Sequence, residues 1–192
     1  MASSTRGNGK NRFTAKRLAL MAIFVALAYL VSFLETPKIA GFLQMDFGNV
    51  FILLSSLLLG PTEGVLVCLL KESLRCITSS TGFVGELANF VITSAFILLP
   101  SVIYRYKKGI KVVVISLSAA CLLSTAVALA MNRWVLLPAF YELGLSPISA
   151  EVAFAEFWWI LLVFNLVKSI LVSVIAFVLY KRLSNFLKKW ER

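Results

Sequence analysis

The chain has 192 residues, of which 60% are hydrophobic, and a mean hydropathy of +0.91; a water-soluble domain is only about 45–50% apolar. The excess lies in long blocks joined by tight loops, which excludes a soluble globular fold and leaves room for about six membrane spans of about 20 residues each. The formal charge of +10 could suggest a nucleic-acid partner, but its distribution along the chain points to membrane topology instead.

The predicted architecture is all-α: one polytopic domain over 1–192, with a basic cytoplasmic segment at 1–13 and a basic cytoplasmic tail at 184–192. Helix 1 is expected from Thr14 to Leu34 and ends at Glu35-Thr36-Pro37. Its basic start (Arg6, Lys10, Arg12, Lys16, Arg17) imitates a signal peptide. The apolar run Leu18 to Leu34 is longer than an ordinary signal core and lacks a small-residue cleavage site, so it reads as a retained span. Loop 1, 35–46, carries Pro37 and Gly41 and suits a re-entrant or lid-like segment. Helix 2, 47–59, is short. The turn Gly60-Pro61-Thr62-Glu63-Gly64 leads into helix 3, 62–77, with Pro61 near its first position. Thr78-Ser79-Ser80-Thr81-Gly82 breaks that helix. Helix 4, 85–104, closes on Tyr104-Arg105-Tyr106-Lys107-Lys108-Gly109, and helix 5 covers 110–131. A long loop 5, 132–153, with Pro138, Gly144 and Pro147, precedes helix 6, 154–180, and its amphipathic basic tail.

Cytoplasmic loops of membrane proteins retain Lys and Arg. With the N-terminus inside, fourteen of the nineteen basic residues fall on the cytoplasmic side: five at the start, four between helices 4 and 5 (Arg105, Lys107, Lys108, Lys111) and five in the tail (Lys181, Arg182, Lys188, Lys189, Arg192). The outer loops and helix mouths hold Lys38 and Arg133 with six of the nine acids, Glu35, Asp46, Glu86, Glu142, Glu151 and Glu156. An even helix number puts both termini inside, in agreement with the charges. The basic balance is thus a topology signal with some attraction to anionic lipid, and no nucleic-acid role is expected.

Charged groups in the hydrocarbon cost at least about 2.5–3.5 kcal/mol each on insertion scales, so they need a partner or a task. Asn165 and Lys168 stand at i and i+3 on one face of helix 6, within the apolar run Phe157 to Tyr180. They form either a binding site facing the bundle interior or a structural link between helices. Lys71, Glu72 and Arg75 in helix 3 can pair among themselves, Glu72 with Arg75 at i, i+3. Asn132 and Arg133 end helix 5. Glu86 and Asn89 share a face at the start of helix 4, where Glu86 also complements the helix dipole. Asp46 precedes helix 2 and can cap it. If these groups converge, they form a pocket in the outer half of the bundle. Phe42, Phe47, Phe83, Trp134 and Tyr141 are available to line it. Such a pocket suits a flat, largely uncharged ligand with polar edges.

The chain has no histidine, no clustered acids and no CxxC spacing, so no metal site is expected. Cys68, Cys76 and Cys121 read as small apolar packing residues. There is no GxxxxGK loop, so the chain itself cannot use ATP by that route. Ala15, Ala19, Ala22 and Ala26 form a small-residue stripe on helix 1, open either to a partner helix or to the chain's own bundle.

The segments Leu43-Gln44-Met45-Asp46-Phe47, Leu59-Gly60-Pro61 with Gly64, Ser80-Thr81-Gly82 with Gly85-Glu86-Leu87-Ala88-Asn89-Phe90, and Phe164-Asn165-Leu166-Val167-Lys168 resemble the riboflavin-specific S component family of energy-coupling factor (ECF) transporters. The resemblance runs from helix 1 to the basic tail. It implies a six-helix subunit of the bacterial cell membrane that captures riboflavin from outside and works with a T component and two ABC-type ATPases. It implies that loops 1 and 5 cover the pocket and that Asn132, Asn165 and Lys168 bond the polar groups of the flavin. It also places Leu43, Asp46, Phe47, Phe83, Gly85, Glu86 and Asn89 near the ligand, and makes the alanine stripe the docking face for the T component. The ligand is then transported cargo, with no cofactor and no bond made or broken. FMN or another flavin analogue, with Lys71 and Arg75 receiving the phosphate, is the alternative within the binding class. Outside it stand a membrane enzyme using the intramembrane acids and lysine, and a purely structural membrane subunit.

Overall fold

The computed structural model describes residues 15–34, 36, 43–79, 83–107 and 109–190, the last ten largely by backbone alone. The basic segment 1–13, Thr14, Glu35, Pro37, Lys38, Gly41, Phe42, Ser80-Thr81-Gly82, Lys108 and Arg192 lie outside the described residues. The remainder is almost wholly helical.

The expected spans appear in order as α1 (Ala15–Val31), α2 (Asn49–Leu58), α3 (Pro61–Arg75), α4 (Val84–Tyr106), α5 (Ile110–Met131) and, after a short α6 (Leu137–Glu142), α7 (Ala150–Trp190). Among the described residues the fold is thus a bundle of six main helices beside the short α6. α2 has ten residues, about 15 Å of rise, too little to cross a hydrocarbon core of about 30 Å. Most of its residues, including Val50, Ile52, Leu53, Leu54 and Leu57, are buried, as expected for a helix apolar on every side. It sits at the centre of the bundle against α1, α3, α4 and α7. Lipid is met by others: Val84–Tyr106, Ile110–Glu142 and Ala150–Tyr180 have the length and hydropathy to span a membrane.

α2 and α3 form a tight helical hairpin. Gly60 at the turn has φ +132°, a conformation that side chains rarely adopt, and Pro61 follows at the start of α3, where its missing N–H is not needed. One turn later Gly64 lies directly on Ser56; a Cβ built there would stand 2.3 Å from the Cβ of Ser56.

Two boundaries differ from the sequence expectation. Loop 5 is much shorter than 132–153. The chain continues from α5 through a π-helical turn, Asn132–Leu136, into α6. Pro138 was expected to sit in a loop, since its ring collides with the carbonyl four residues back in a regular helix. The wide π turn just before it opens the ladder at that point. Helix 6 also starts earlier than 154 and runs to Trp190, so the basic tail is a continuation of the last span.

Candidate substrate-binding site

The helices arrange their outer ends around a cavity of about 150 Å³. Two apolar clusters contribute to its lining. One joins Leu43 and Met45 to Leu161 and Phe164 of α7; the other joins Ala88 of α4 to Leu136 and Phe140. Much of the remaining lining is polar: Asp46, Lys71, Glu72, Arg75, Asn89, Asn132, Asn165 and Lys168.

The polar lining is a connected ladder across four segments. Lys71 is fully buried and its ammonium donates to Asp46, ahead of α2, and to Glu72 Oε1 at 2.8 Å. Asn89 of α4 donates its Nδ2 to the same Glu72 oxygen. The Oδ1 of Asn89 then accepts from Lys168 Nζ of α7 at 3.1 Å. Two carboxylates and two ammoniums alternate with one amide, so the ladder is formally neutral, which lets these charges lie between apolar helices. Its bonds also fix which way the amide of Asn89 points.

Asp46 does not cap α2, contrary to what its position ahead of the helix suggests. Its Oδ1 accepts from the Gly48 N–H at 2.7 Å, tightening the turn, while the helix cap is Gly48 itself. Gly48 is required by proximity, since a Cβ there would lie 2.3 Å from the carbonyl oxygen of Ala28 on α1.

Asn132 and Asn165 are buried and each donates Nδ2 to the carbonyl one turn back, Ala128 at 2.7 Å and Leu161 at 2.8 Å. That contact anchors each amide on its own helix and leaves a second N–H and the Oδ1 for the cavity. Asn132 reaches the cavity from the first residue of the π turn, a local distortion of the kind found often at functional sites.

A family model for the substrate-specific component of ECF transporters matches residues 16–180 of the chain. The chain belongs to this family. It is 31% identical over 188 residues to the riboflavin transporter RibU of Staphylococcus aureus (strain TCH60), covering 95% of this chain and 99% of that one. It is 25% identical over 180 residues to the riboflavin transporter FmnP of Bacillus subtilis (strain 168), covering 91% and 95%. A solved S component of a bacterial ECF transporter superposes with a TM-score of 0.74 at 32% identity, covering 91% of this chain and 98% of that one. This S component is accordingly a multi-pass protein of the cell membrane.

Of the residues expected near the ligand, Leu43, Asp46, Gly85, Glu86, Asn89, Asn132, Asn165 and Lys168 all line the cavity. Phe47 and Phe83 do not. Phe47 packs on the Leu43 cluster, and Phe83 is 61% exposed because a left-handed backbone (φ 68°) turns the chain there before α4. Trp134 and Tyr141 also face outward. The aromatic lining comes from Phe140 and Phe164 instead. Phe164 directly precedes Asn165 in the motif. Phe140 follows Asn132 and Leu136 at steps of four, a helical signal hidden when 132–153 is read as a loop. Lys71, Glu72 and Arg75 also belong to the cavity: Glu72 is held by Lys71 and Asn89, and the Arg75 guanidinium lies 5.3 Å from the ring centre of Phe33. Ala15, Ala19, Ala22 and Ala26 are all exposed on the outer surface of α1.

Proposed function

We propose that this S component captures riboflavin from the outer side of the membrane and delivers it with a T component and two ATPases, which supply the energy. The observation that carries the reading is the cavity itself. It combines apolar lining from Leu43, Ala88, Leu136, Phe140 and Phe164 with the amides of Asn132 and Asn165 and the ammonium of Lys168, which present donors and acceptors. A flat ring with carbonyl and imide groups fits that arrangement. The relatives named as riboflavin transporters support the choice of flavin.

Charge favours riboflavin over FMN. Three carboxylates (Asp46, Glu72, Glu86) and three cations (Lys71, Arg75, Lys168) line the cavity, and the Lys71 ammonium already serves two of the carboxylates. A phosphate therefore gains no net Coulomb attraction. Calorimetric titration should give tighter binding of riboflavin than of FMN; the reverse order would transfer the assignment to the phosphate ester.

Lys168 supplies the charge-assisted hydrogen bond of the polar lining, worth about 1.5–3 kcal/mol. Lys168→Ala should weaken riboflavin binding by at least about tenfold while the protein stays folded. Unchanged affinity would remove Lys168 from the site. Purified protein should be yellow with a flavin spectrum; a colourless protein whose tryptophans no flavin quenches would indicate a structural subunit.

A further inference from the structure

A second, smaller cavity lies one to two turns further toward the cytoplasmic side. Its volume is about 20 Å³, and its polar lining is Asn49, Thr93, Ser124, Asn165, Lys168 and Ser169. Asn165 and Lys168 thus line both cavities. Asn49, the first residue of α2, is only 4% exposed, and its Oδ1 has no hydrogen-bond partner among the described residues. An acceptor buried in this way is unfavourable unless something donates to it.

The surroundings can supply a bridge. Lys168 carries three N–H groups, one of which serves Asn89 Oδ1. Ser169 donates to the Asn165 carbonyl at 2.7 Å and lies 3.0 Å from Ser124 Oγ, so both hydroxyls retain acceptor capacity. A buried water needs roughly 10–15 Å³ and two to four polar partners. The cavity meets both conditions and is too small for a larger guest. A cation is disfavoured, because an ammonium lines the space and no carboxylate does.

We propose that this second cavity is a built water site. One ordered water donates to Asn49 Oδ1 and accepts from Lys168 Nζ, which makes Asn49 a positioning residue for the lysine at the ligand cavity. With Asn89 on one side and the water on the other, the ammonium is held from two directions before a ligand arrives. Preorganisation of this kind raises affinity by lowering the ordering cost of binding. The water stands on geometry alone; its effect on affinity rests on the flavin reading.

A crystal structure of the full chain, at a resolution that shows ordered solvent, tests the first part. A solvent peak within hydrogen-bond reach of both Asn49 Oδ1 and Lys168 Nζ is expected. Empty density there, or a side chain bonded directly to Asn49 Oδ1, would overturn the proposal. Riboflavin titrations of wild type, Asn49→Leu, Asn49→Asp, Lys168→Met and the Asn49→Leu/Lys168→Met double variant test the second part. Asn49→Leu should weaken binding about fivefold, and Asn49→Asp, which keeps the acceptor, should recover most of that loss. Asn49→Leu should have no further effect in the Lys168→Met background, because it acts through the lysine. Equal losses in both backgrounds would assign Asn49 to packing and defeat the positioning role. If Asn49→Leu fails to fold, the solvent density decides. Wild-type protein that binds no riboflavin would sink the flavin reading and leave the density to judge the water.

Discussion

The ammonium of Lys71 is wholly excluded from solvent, yet it sits in a chain whose helices are selected for apolar surface. Its contacts with Asp46 and Glu72 make this possible. Removing it would leave two buried carboxylates without compensation, a change that typically costs about 3–5 kcal/mol. Lys71→Met should therefore lower the melting temperature of detergent-solubilised protein sharply. The triple variant Lys71→Met/Asp46→Asn/Glu72→Gln removes all three charges together and should recover much of the loss. Equal destabilisation in the single and triple variants would show that packing around the lysine stem matters, and the ion contacts do not. The sequence displays the problem but not its solution. A lysine in an apolar run is conspicuous, as Lys168 also is, whereas the partner of Lys71 lies 25 residues earlier and only the tertiary fold brings it close. Local spacing favours Glu72 with Arg75; the structure shows Glu72 between Lys71 and Asn89.

At the scale of elements, the α2–α3 hairpin depends on the absence of a side chain at Gly64. The nearest atoms include the Cα and N of Ser56, at 2.7 and 3.2 Å from a built Cβ. Backbone cannot rotate away as a side-chain tip can, so the two helices must separate. Gly64→Leu should destabilise the protein by more than the roughly 1–3 kcal/mol typical of overpacking, read as a large drop in thermal midpoint. A small drop would mean that the hairpin opens easily. The continuous α5–α6 segment forms one wall of the cavity through Leu136 and Phe140. Phe140→Ala should weaken riboflavin binding by about 1 kcal/mol, within the range for an aromatic contact, and fluorescence titration measures it. Helix positions were legible because most apolar runs are separated by breaks such as Glu35-Thr36-Pro37, Gly60-Pro61, Thr78 to Gly82 and the basic cluster Arg105 to Gly109. The α5–α6 continuation was not, because Pro138 is normally a breaker and the π turn that accommodates it has no sequence signature comparable to a cap.

At the scale of the whole molecule, the placement of Lys and Arg sets the orientation, and several polar groups that escape that rule, among them Asp46, Glu72, Glu86, Asn89, Asn132, Asn165 and Lys168, line the cavity at the outer helix ends. The outer surface is otherwise apolar, with Leu18, Ile23, Leu27 and Leu30 exposed along α1, as a lipid-facing helix requires. Within that surface Ala15, Ala19, Ala22 and Ala26 leave a shallow track. The buried face of α1 is a different one, Met21, Phe24 and Ala28, so among the described residues the bundle leaves the alanines exposed. Small residues let another helix approach closely, which is what a T component would need. Ala22→Trp fills the track without touching the core. It should leave riboflavin affinity of the purified protein unchanged and abolish uptake by cells that carry the T component and ATPases. Loss of binding together with uptake would mean that the alanine face supports the fold. Retention of both would place the coupling surface on another helix. The separation of the two readouts follows from geometry: the cavity opens at the outer ends of α3, α4, α5 and α7, and Ala22 lies on the far face of α1, so a bulky side chain there has no direct route to the ligand.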